Sequence, residues 1–372
     1  MKKINVDYLN LWKEIPFFCL LIVKKFFVRE EGRGSGNILI VNPSLVGEFA
    51  ASVPAIRDYI ERHPGKNIDL IVSPPLQKLA QHLIGIRHVY TTASVFARAS
   101  EQAEGEQSLG AYEKTVVLRM SPAVYRLLKN THTGTLKTSL PNFIDYALHL
   151  AINLIIGRTP RSWRVINFEM LGGTPKDISF DELFSFDAAE RERVAALPAF
   201  AGKEKKIFIH TGASWVLNKW RNEKWVETLT RLNTLGNFRF IFIGANKDSA
   251  DYEFISSQLS FKTYSLVGAV DWQELVLAFR QGGYFIGVDS GPRNLAHLAD
   301  LPSITLLGPG PHMFTPHNAR DIILDHSGGR GLYQRFVHTE KNHFIDKIQS
   351  SELVAAFQEL ITRCAPGSGS RP

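Results

Sequence analysis

The sequence predicts an α/β fold made of two doubly wound, Rossmann-like parallel-sheet domains. Short runs such as NILIVN (37–42) and FRFIFIG (238–244) are continuously apolar and β-branched or aromatic, as strands covered on both faces are. Helical stretches separate these runs, and the alternation occurs twice along the chain. At 372 residues the chain also exceeds the usual length of one domain. We therefore expect two domains that face each other across a central cleft.

The elements of the first half follow from the positions of these runs. The predicted strands are 37–42, 68–73, 88–92 and 115–120, and the predicted helices are 47–63, 75–83, 122–130 and 141–156. The alternation of strands and helices is not recognisable over 157–185. The polar helix 187–197 either ends the first half or connects it to the second. We assign residues 34–190 to an amino-terminal domain.

In the second half the alternation of strands and helices begins again with the predicted strand and turn KIFIHTG (206–212). The further predicted strands are 238–244, 263–268, 284–288 and 303–308, and the predicted helices are 222–232, 248–259, 271–281, one after Pro292, and 350–364. We assign residues 191–349 to a carboxyl-terminal domain. Residues 350–372 are expected to form a helix that packs back toward the amino-terminal domain, followed by a flexible tail.

The amino-terminal segment, residues 1–33, has two interpretations. Its apolar run is interrupted by Lys24 and Lys25 after nine residues, whereas a spanning helix needs about 20. Acidic residues follow instead of a cleavage site, which argues against a signal peptide. One interpretation is an ordinary helix packed on the body. The other is an interfacial helix with its phenylalanines in lipid and its lysines at the headgroups of an anionic membrane.

Composition narrows the classes of partner. The formal net charge of +7 favours acidic partners such as phosphates, nucleotides or anionic lipid surfaces. The sequence has no basic run interleaved with aromatics, which argues against nucleic acid. Two distant cysteines provide neither a disulfide framework nor metal-ligand spacing, as is typical of a cytoplasmic protein.

Ligands of doubly wound sheets bind beyond the carboxyl ends of the strands, so the loops there are the candidate sites. The loop HTGASWVLNKW (210–220) offers backbone amides, hydroxyls and an ammonium, which suit a phosphate; its candidates are Thr211, Gly212, Ala213, Ser214 and Lys219. Gly268 marks a turn able to contact a flat base. An ordinary β–α turn with a solvated lysine explains the first loop equally well.

The corner at 289–294 leads from a buried strand into a helix. Ser290 or Gly291 can cap this helix, and Pro292 suits its first turn because its missing N–H costs nothing there. The free amides and the helix dipole would then hold a diphosphate with Arg293 nearby, while Asp289 braces the loop or accepts from a ligand hydroxyl. The alternative is a plain helix cap.

Glu48 follows the first strand at the start of a helix. A carboxylate at a strand end can take a proton from an attacking hydroxyl within hydrogen-bond reach. The alternative is a glutamate that only interacts with the helix dipole.

Together these motifs resemble glycosyltransferase family 9, the lipopolysaccharide heptosyltransferases with the GT-B fold. Four stretches carry the resemblance, which extends over about residues 37–363: ILIVNPSLVGEFAASVPAIR, HTGASWVLNKW, LVGAVDWQEL and VDSGPRNLAHLADLPSITLLGPG. The resemblance implies an inverting transferase that needs no metal or other cofactor. Its co-substrate would be a nucleotide sugar, ADP-heptose by family default, bound by the carboxyl-terminal half.

Carried over residue by residue, the resemblance makes Glu48 the general base, one methylene longer than the usual aspartate. Asp289, Ser290 and Gly291 match the donor loop. The family's histidine falls on Asn294 and its phosphate lysine on Asn218, so Lys219 or Arg293 would have to replace the lost cations. The acceptor would be lipopolysaccharide core or another lipid-linked glycan, at the inner face of the cytoplasmic membrane. Its acidic groups are expected to meet Ser44, Arg57, Arg119, Arg126 and Lys129.

Two other functions remain open. Glu48, Asn218 and Asn294, which differ from the family's residues, also suit a GT-B-like protein that binds nucleotide sugars or glycans with little or no transfer. A sugar-nucleotide epimerase of similar fold is the third reading.

Overall fold

The computed structural model describes residues 35–92, 111–120, 133–139, 162–213, 216–308, 318–327 and 343–365, together with residues 19, 109, 124, 127, 128 and 131. Two compact units divide between Ser185 and Phe186, close to the boundary that we placed after residue 190. The segment 1–33, apart from residue 19, and the predicted helix 141–156 lie outside the described residues, as does most of the predicted helix 122–130.

The first unit contains a five-stranded parallel sheet in the order β3-β2-β1-β4-β5. Its strands are β1 (Asn37–Asn42), β2 (Asn67–Val72), β3 (His88–Thr91), β4 (Tyr112–Val117) and β5 (Thr133–Thr138). The described helices are α1 (Val46–Glu61), α2 (Gln77–Gln81), α3 (Trp163–Met170) and α4 (Phe180–Leu183). Leu39, Ile40 and Val41 of β1 are fully buried, as its unbroken apolar run predicts.

The second unit contains a six-stranded parallel sheet in the order β11-β10-β9-β6-β7-β8. Its strands are β6 (Lys205–His210), β7 (Phe238–Phe242), β8 (Thr263–Ser265), β9 (Tyr284–Val288), β10 (Ser303–Leu307) and β11 (Asp321–Asp325). Its described helices are α5 (Ala188–Ala195), α6 (Asn222–Asn233), α7 (Ser249–Ser257), α8 (Trp272–Phe279), α9 (Gly291–Leu298) and α10 (Ser350–Arg363). The predicted α/β class with two parallel sheets is confirmed.

The last helix packs differently from our expectation. The apolar face of α10, with Leu353, Phe357 and Leu360, belongs to the core of the second unit. The Phe357 ring lies 5.4 Å from that of Phe238 and 5.2 Å from that of Tyr284, centroid to centroid. The helix therefore covers the sheet of the domain that precedes it, where we expected it to pack toward the amino-terminal domain, because that sheet supplies the apolar surface its own face needs.

Both sheets reverse their strand order beside their first strand. In the first unit the chain runs from β1 outward to β3 and then returns to place β4 on the other side of β1. In the second unit β6 and β9 are neighbours in the same way. The connections leave such a pair of strands toward opposite faces, and this opens a crevice at their carboxyl ends. Each unit thus has one topologically favoured ligand site.

Candidate functional site

In the second unit, the crevice is bordered by His210, the last residue of β6, and Ser290, which follows β9. The Ser290 Oγ lies 3.1 Å from His210 Nδ1, so a hydrogen bond joins the two loops across the point where the strand order reverses. Ser290 occupies the cap position of α9 with an extended backbone, but its side chain makes no capping bond. We expected a helix cap, whereas the hydroxyl bonds to the neighbouring loop.

His210 is a site residue that we did not single out from the sequence. Burial, with a smaller contribution from the Lys247 ammonium, lowers the pKa of His210 to about 3. The ring is therefore neutral at physiological pH, and it can hold Ser290 without placing a charge beneath the crevice. The available signal was a polar residue that directly follows the buried apolar segment 207–209 at the end of a strand.

The loop after β6 lies against the turn after β7. Thr211 and Gly212 are buried, and a Cβ added to Gly212 would collide with the Asp248 carboxyl group. Asp248 is itself buried and accepts a hydrogen bond of 2.9 Å from the backbone N–H of Ala245. Glycine is thus required at 212 because the carboxylate that fixes the next turn occupies the space of a side chain.

The turn after β8 packs against the turn after β7 in a similar way. The backbone N–H of Gly268 donates to the Gly244 carbonyl at 2.9 Å, and Gly268 has a φ of +67°. A side chain at this position would also collide with Asn246. The turn predicted to contact a flat base therefore lies directly beside the loop after β7.

Two lysines lie near the candidate phosphate loop. Lys219, our predicted cation, donates to the Asp251 carboxylate at 2.6 Å, so its charge is largely offset. Lys247 is exposed, and its Nζ lies 3.5 Å from the carbonyl oxygen of Ala213. Lys247 is the better placed cation, and we missed it because it follows a strand whose loop carries no recognisable motif. Ser214 lies outside the described residues.

Of the two caps that we considered, Ser290 holds the cap position of α9, and Pro292 lies in the first turn as expected. The role of Arg293 differs from our prediction. Arg293 is fully buried, donates to Thr305 Oγ1 at 3.0 Å and pairs with Asp321 at 3.4 Å. We predicted that its guanidinium contacts a donor diphosphate. It points into the domain instead, because α9 packs this face on β10.

The two asparagines at the family's cation positions are partly or fully buried. Asn294 is 6% exposed, and neither its Oδ1 nor that of Asn218 has a hydrogen-bond partner among the described residues. Asp289 is half-buried, and its backbone N–H donates to the Leu306 carbonyl at 3.1 Å. The site thus offers neutral hydrogen-bond acceptors where the resemblance implies cations.

In the first unit, the corresponding crevice brings together Glu48 and Arg119. Glu48 lies in the first turn of α1, after β1, and Arg119 follows β4. The Arg119 Nε is 3.8 Å from Glu48 Oε2, and the guanidinium lies over the Trp163 ring at 3.5 Å from its centroid. Arg119 is 4% exposed, so it holds the candidate base where we expected it to meet an acceptor.

The other predicted acceptor residues have structural partners where they are described. Ser44 is buried and donates to Asn42 Oδ1 at 2.7 Å. Arg57 donates to the Glu182 carbonyl at 2.7 Å and pairs with Glu61 at 3.3 Å. Both side chains hold their own unit together. Arg126 and Lys129 lie outside the described residues.

The described ranges contain neither a metal-binding cluster nor a helix that could span a membrane. Within them, no group of three or more histidine, cysteine, aspartate or glutamate side chains is arranged to hold a metal ion. No helix in this part of the chain has the length and apolar character needed to cross a bilayer.

Comparison with known proteins agrees with these motifs. The sequence profile of glycosyltransferase family 9 (heptosyltransferase) matches residues 167–341. Lipopolysaccharide heptosyltransferase 3 of Escherichia coli K12 is 25% identical over 175 residues, which are 46% of this chain and 51% of that protein. The chain thus spans about half the length of the curated relatives that it matches.

Solved structures show the same fold. A family 9 glycosyltransferase from Veillonella parvula aligns with a TM-score of 0.70 at 15% identity, covering 88% of this chain and 97% of that one. The ADP-heptose lipopolysaccharide heptosyltransferase II of E. coli aligns with a TM-score of 0.64 at 15% identity, covering 88% and 99%. The GT-B fold class is confirmed, and so is the similarity of this chain to glycosyltransferase family 9, the heptosyltransferases, whose profile covers residues 167–341.

Proposed function

We propose that the protein is an inverting, metal-independent glycosyltransferase that uses a nucleotide-sugar donor. The observation that carries the proposal is the hydrogen bond between Ser290 and His210, which joins the two loops at the ligand crevice of the second sheet. Both loops lie within the residues matched by the family 9 profile. The similarity to an ADP-heptose lipopolysaccharide heptosyltransferase supports heptose as the sugar and lipopolysaccharide core as the acceptor.

The second unit would bind the donor. The amides of Gly212 and Ala213 and those at the start of α9 would hold the diphosphate, with the Lys247 ammonium beside them. His210 stays neutral and orients Ser290, and Gly268 would approach the base. Asn294 and Asn218 are neutral and their side-chain oxygens are buried, so they would add no charge beside the diphosphate.

The first unit would supply the base. Glu48 would take the proton of an acceptor hydroxyl, whose oxygen attacks the anomeric carbon of the donor sugar. The bond between that carbon and the diphosphate oxygen breaks in the same step, so the sugar inverts and the nucleoside diphosphate leaves with the electron pair. Arg119 would keep the carboxylate in place throughout.

Such an acceptor places the enzyme at the cytoplasmic face of the inner membrane as a peripheral protein. The net charge of +7 is favourable for contact with anionic lipid. We expect no nucleic acid partner.

A second candidate function is binding of a nucleotide sugar or glycan without transfer. The lack of available positive charge in the candidate donor site favours this function. Lys219 is paired with Asp251 and Arg293 is buried, while Asn218 and Asn294 are neutral. A leaving diphosphate would then receive less charge stabilisation than the family implies.

Substitution of the base separates the two candidates. We expect Glu48→Gln to lower the transfer rate from ADP-heptose to heptose-deficient lipopolysaccharide core by about 10²- to 10⁴-fold, while the Kd for ADP is unchanged. Glu61→Gln, a carboxylate on the same helix that pairs with Lys176, is the matched control and should keep its rate. ADP binding by a wild-type protein that transfers none of a panel of ADP-, GDP- and UDP-sugars would favour the second candidate.

A further inference from the structure

A cavity opens in the second unit at the amino ends of β6, β9 and β10, opposite the carboxyl ends that carry the candidate donor loops. Its volume is about 530 Å³, which is within the range of small-molecule sites. Lys205 and Lys206 begin β6, Tyr284 begins β9, and Pro302 directly precedes β10. The candidate donor loops follow the carboxyl ends of the same strands, so the two sites are separated by the length of the strands.

The lining of this cavity is strongly basic. Its charged side chains are five cations and one carboxylate: Lys203, Lys205, Lys206, Arg320, Arg363 and Glu204. The carboxylate of Glu204 accepts from the Arg239 Nη2 at 3.1 Å and 3.2 Å, so a buried arginine already offsets its charge. The wall therefore carries excess positive charge that the rest of the described cavity does not neutralise.

The two arginines and the three lysines differ in their pairing. Arg320 pairs with Asp300 at 3.3 Å, and Arg363 pairs with Glu359 one turn earlier in α10. The three lysines form no ion pair with any described side chain, although Lys206 lies close enough to Glu204 to interact electrostatically. An anion in the cavity would therefore meet ammonium groups that no carboxylate among the described residues already pairs.

The negative end of a helix dipole does not explain why these three lysines lie together. A cation in the last turn of a helix offsets the negative end of its dipole, and Arg363 has this position in α10. Lys203, Lys205 and Lys206 precede or begin a strand, so no helix dipole explains their charge. Three rotatable ammonium groups instead suit the several oxygens of a phosphate.

We propose that this cavity binds a phosphate-bearing anion, as a site separate from the donor loops. The anion is either a soluble phosphate compound or the headgroup of an anionic phospholipid, and both present the same oxygens to the lysines. Cys364 lines the same cavity and is half-buried, with a pKa that burial raises above the usual value of a thiol. Its thiol is therefore a local reporter of occupancy.

The test uses the full chain with Cys19→Ser, which leaves Cys364 as the only thiol. The rate of Cys364 alkylation is measured against increasing pyrophosphate and, separately, against vesicles of phosphatidylcholine with and without phosphatidic acid. Sodium chloride at matched ionic strength controls for screening. Protection by pyrophosphate would identify a soluble anion, and protection by phosphatidic acid vesicles alone would identify a headgroup.

Lys203→Gln/Lys205→Gln/Lys206→Gln should raise the half-protecting concentration by roughly tenfold to a hundredfold. The control, Arg193→Gln/Arg231→Gln/Lys262→Gln, removes three charges elsewhere in the same unit and should leave protection unchanged. Both variants should keep the thermal shift caused by ADP, which shows that they fold and that the donor site is separate. No protection by either source, or protection that survives in the lysine variant, would overturn the proposal.

Discussion

The setting of Glu48 explains why an arginine lies beside it. The carboxylate is in the first turn of α1, where the helix dipole favours a negative charge. Arg119 Nε approaches it at 3.8 Å, while Arg119 Nη1 donates to the Leu118 carbonyl at 2.7 Å. A flat guanidinium can stack on Trp163 and face a carboxylate at the same time, which a lysine cannot do. If Glu48 is the base, as we propose, Arg119 would act as a positioning residue.

We predict that Arg119→Lys lowers kcat for sugar transfer by about 10- to 100-fold with little change in the Kd for ADP. The ammonium keeps the charge but loses the stacking that fixes its position, so the carboxylate gains freedom. Adding Arg119→Lys to Glu48→Gln should cost almost nothing further, because the group that it positions is already lost. Arg57→Lys, on the same helix but bonded to the Glu182 carbonyl, is the control and should keep kcat. Additive losses in the double variant would contradict the positioning role.

The strands that the sequence predicts best are those in the middle of each sheet. The central segments of these strands, ILIV in β1, IFI in β6 and YFIGV in β9, are unbroken apolar runs because helices or loops cover both of their faces. The edge strands β5 and β11 were not predicted. The sequence of β5, TGTLKT, has only one large apolar residue, and four of the five residues of β11 are only partly buried. An edge strand needs less apolar surface, so its pattern is weaker.

The candidate donor loops were predicted from their residue types, but the partners of their side chains were not. Glycine and serine at strand ends indicate a phosphate loop whichever side chains surround it. The direction of Arg293 depends on how α9 packs on β10, and the hydrogen bond between His210 and Ser290 depends on β6 and β9 being neighbours. Both are properties of the tertiary arrangement, since the partners lie 12 positions apart for Arg293 and Thr305 and 80 positions apart for His210 and Ser290.

The contact between the loops after β6 and β7 gives a test of the donor site. We predict that Gly212→Ala weakens ADP binding by about tenfold, measured by calorimetry, because the new methyl group collides with the Asp248 carboxyl group. Asp248→Ala alone should also weaken binding, since Ala245 loses its hydrogen-bond partner. The double variant should lose less than the sum of the two, because the collision is gone. Strict additivity would show that the two loops do not interact through this contact.

The second unit as a whole carries buried groups whose protonation depends on folding. Asp321 accepts from His297 at 3.2 Å and from Ser303 at 2.6 Å and pairs with Arg293. Burial acts to raise the pKa of Asp321, but these hydrogen bonds and the arginine outweigh it, so the pKa is lowered. Its stabilising effect is therefore present above the unfolded pKa of about 3.8 and is lost only as the pH falls through the lower folded value.

His210 makes the unit sensitive to acid at a much higher pH. Its pKa falls from 6.5 in the unfolded chain to about 3 in the folded protein, so below pH 6.5 only the unfolded state takes up this proton. Stability must then fall as the pH falls, by about 2 kcal/mol between pH 7.5 and pH 5 from this group alone.

We therefore expect His210→Asn to flatten the pH dependence of the urea midpoint over this range, whatever its effect at pH 7.5. His326→Asn removes an exposed histidine that faces Glu352 and is the matched control. Parallel midpoint curves for wild type and His210→Asn would show that the ring is accessible to protons in the folded state. The hydrogen bond to Ser290 would then not require a neutral histidine.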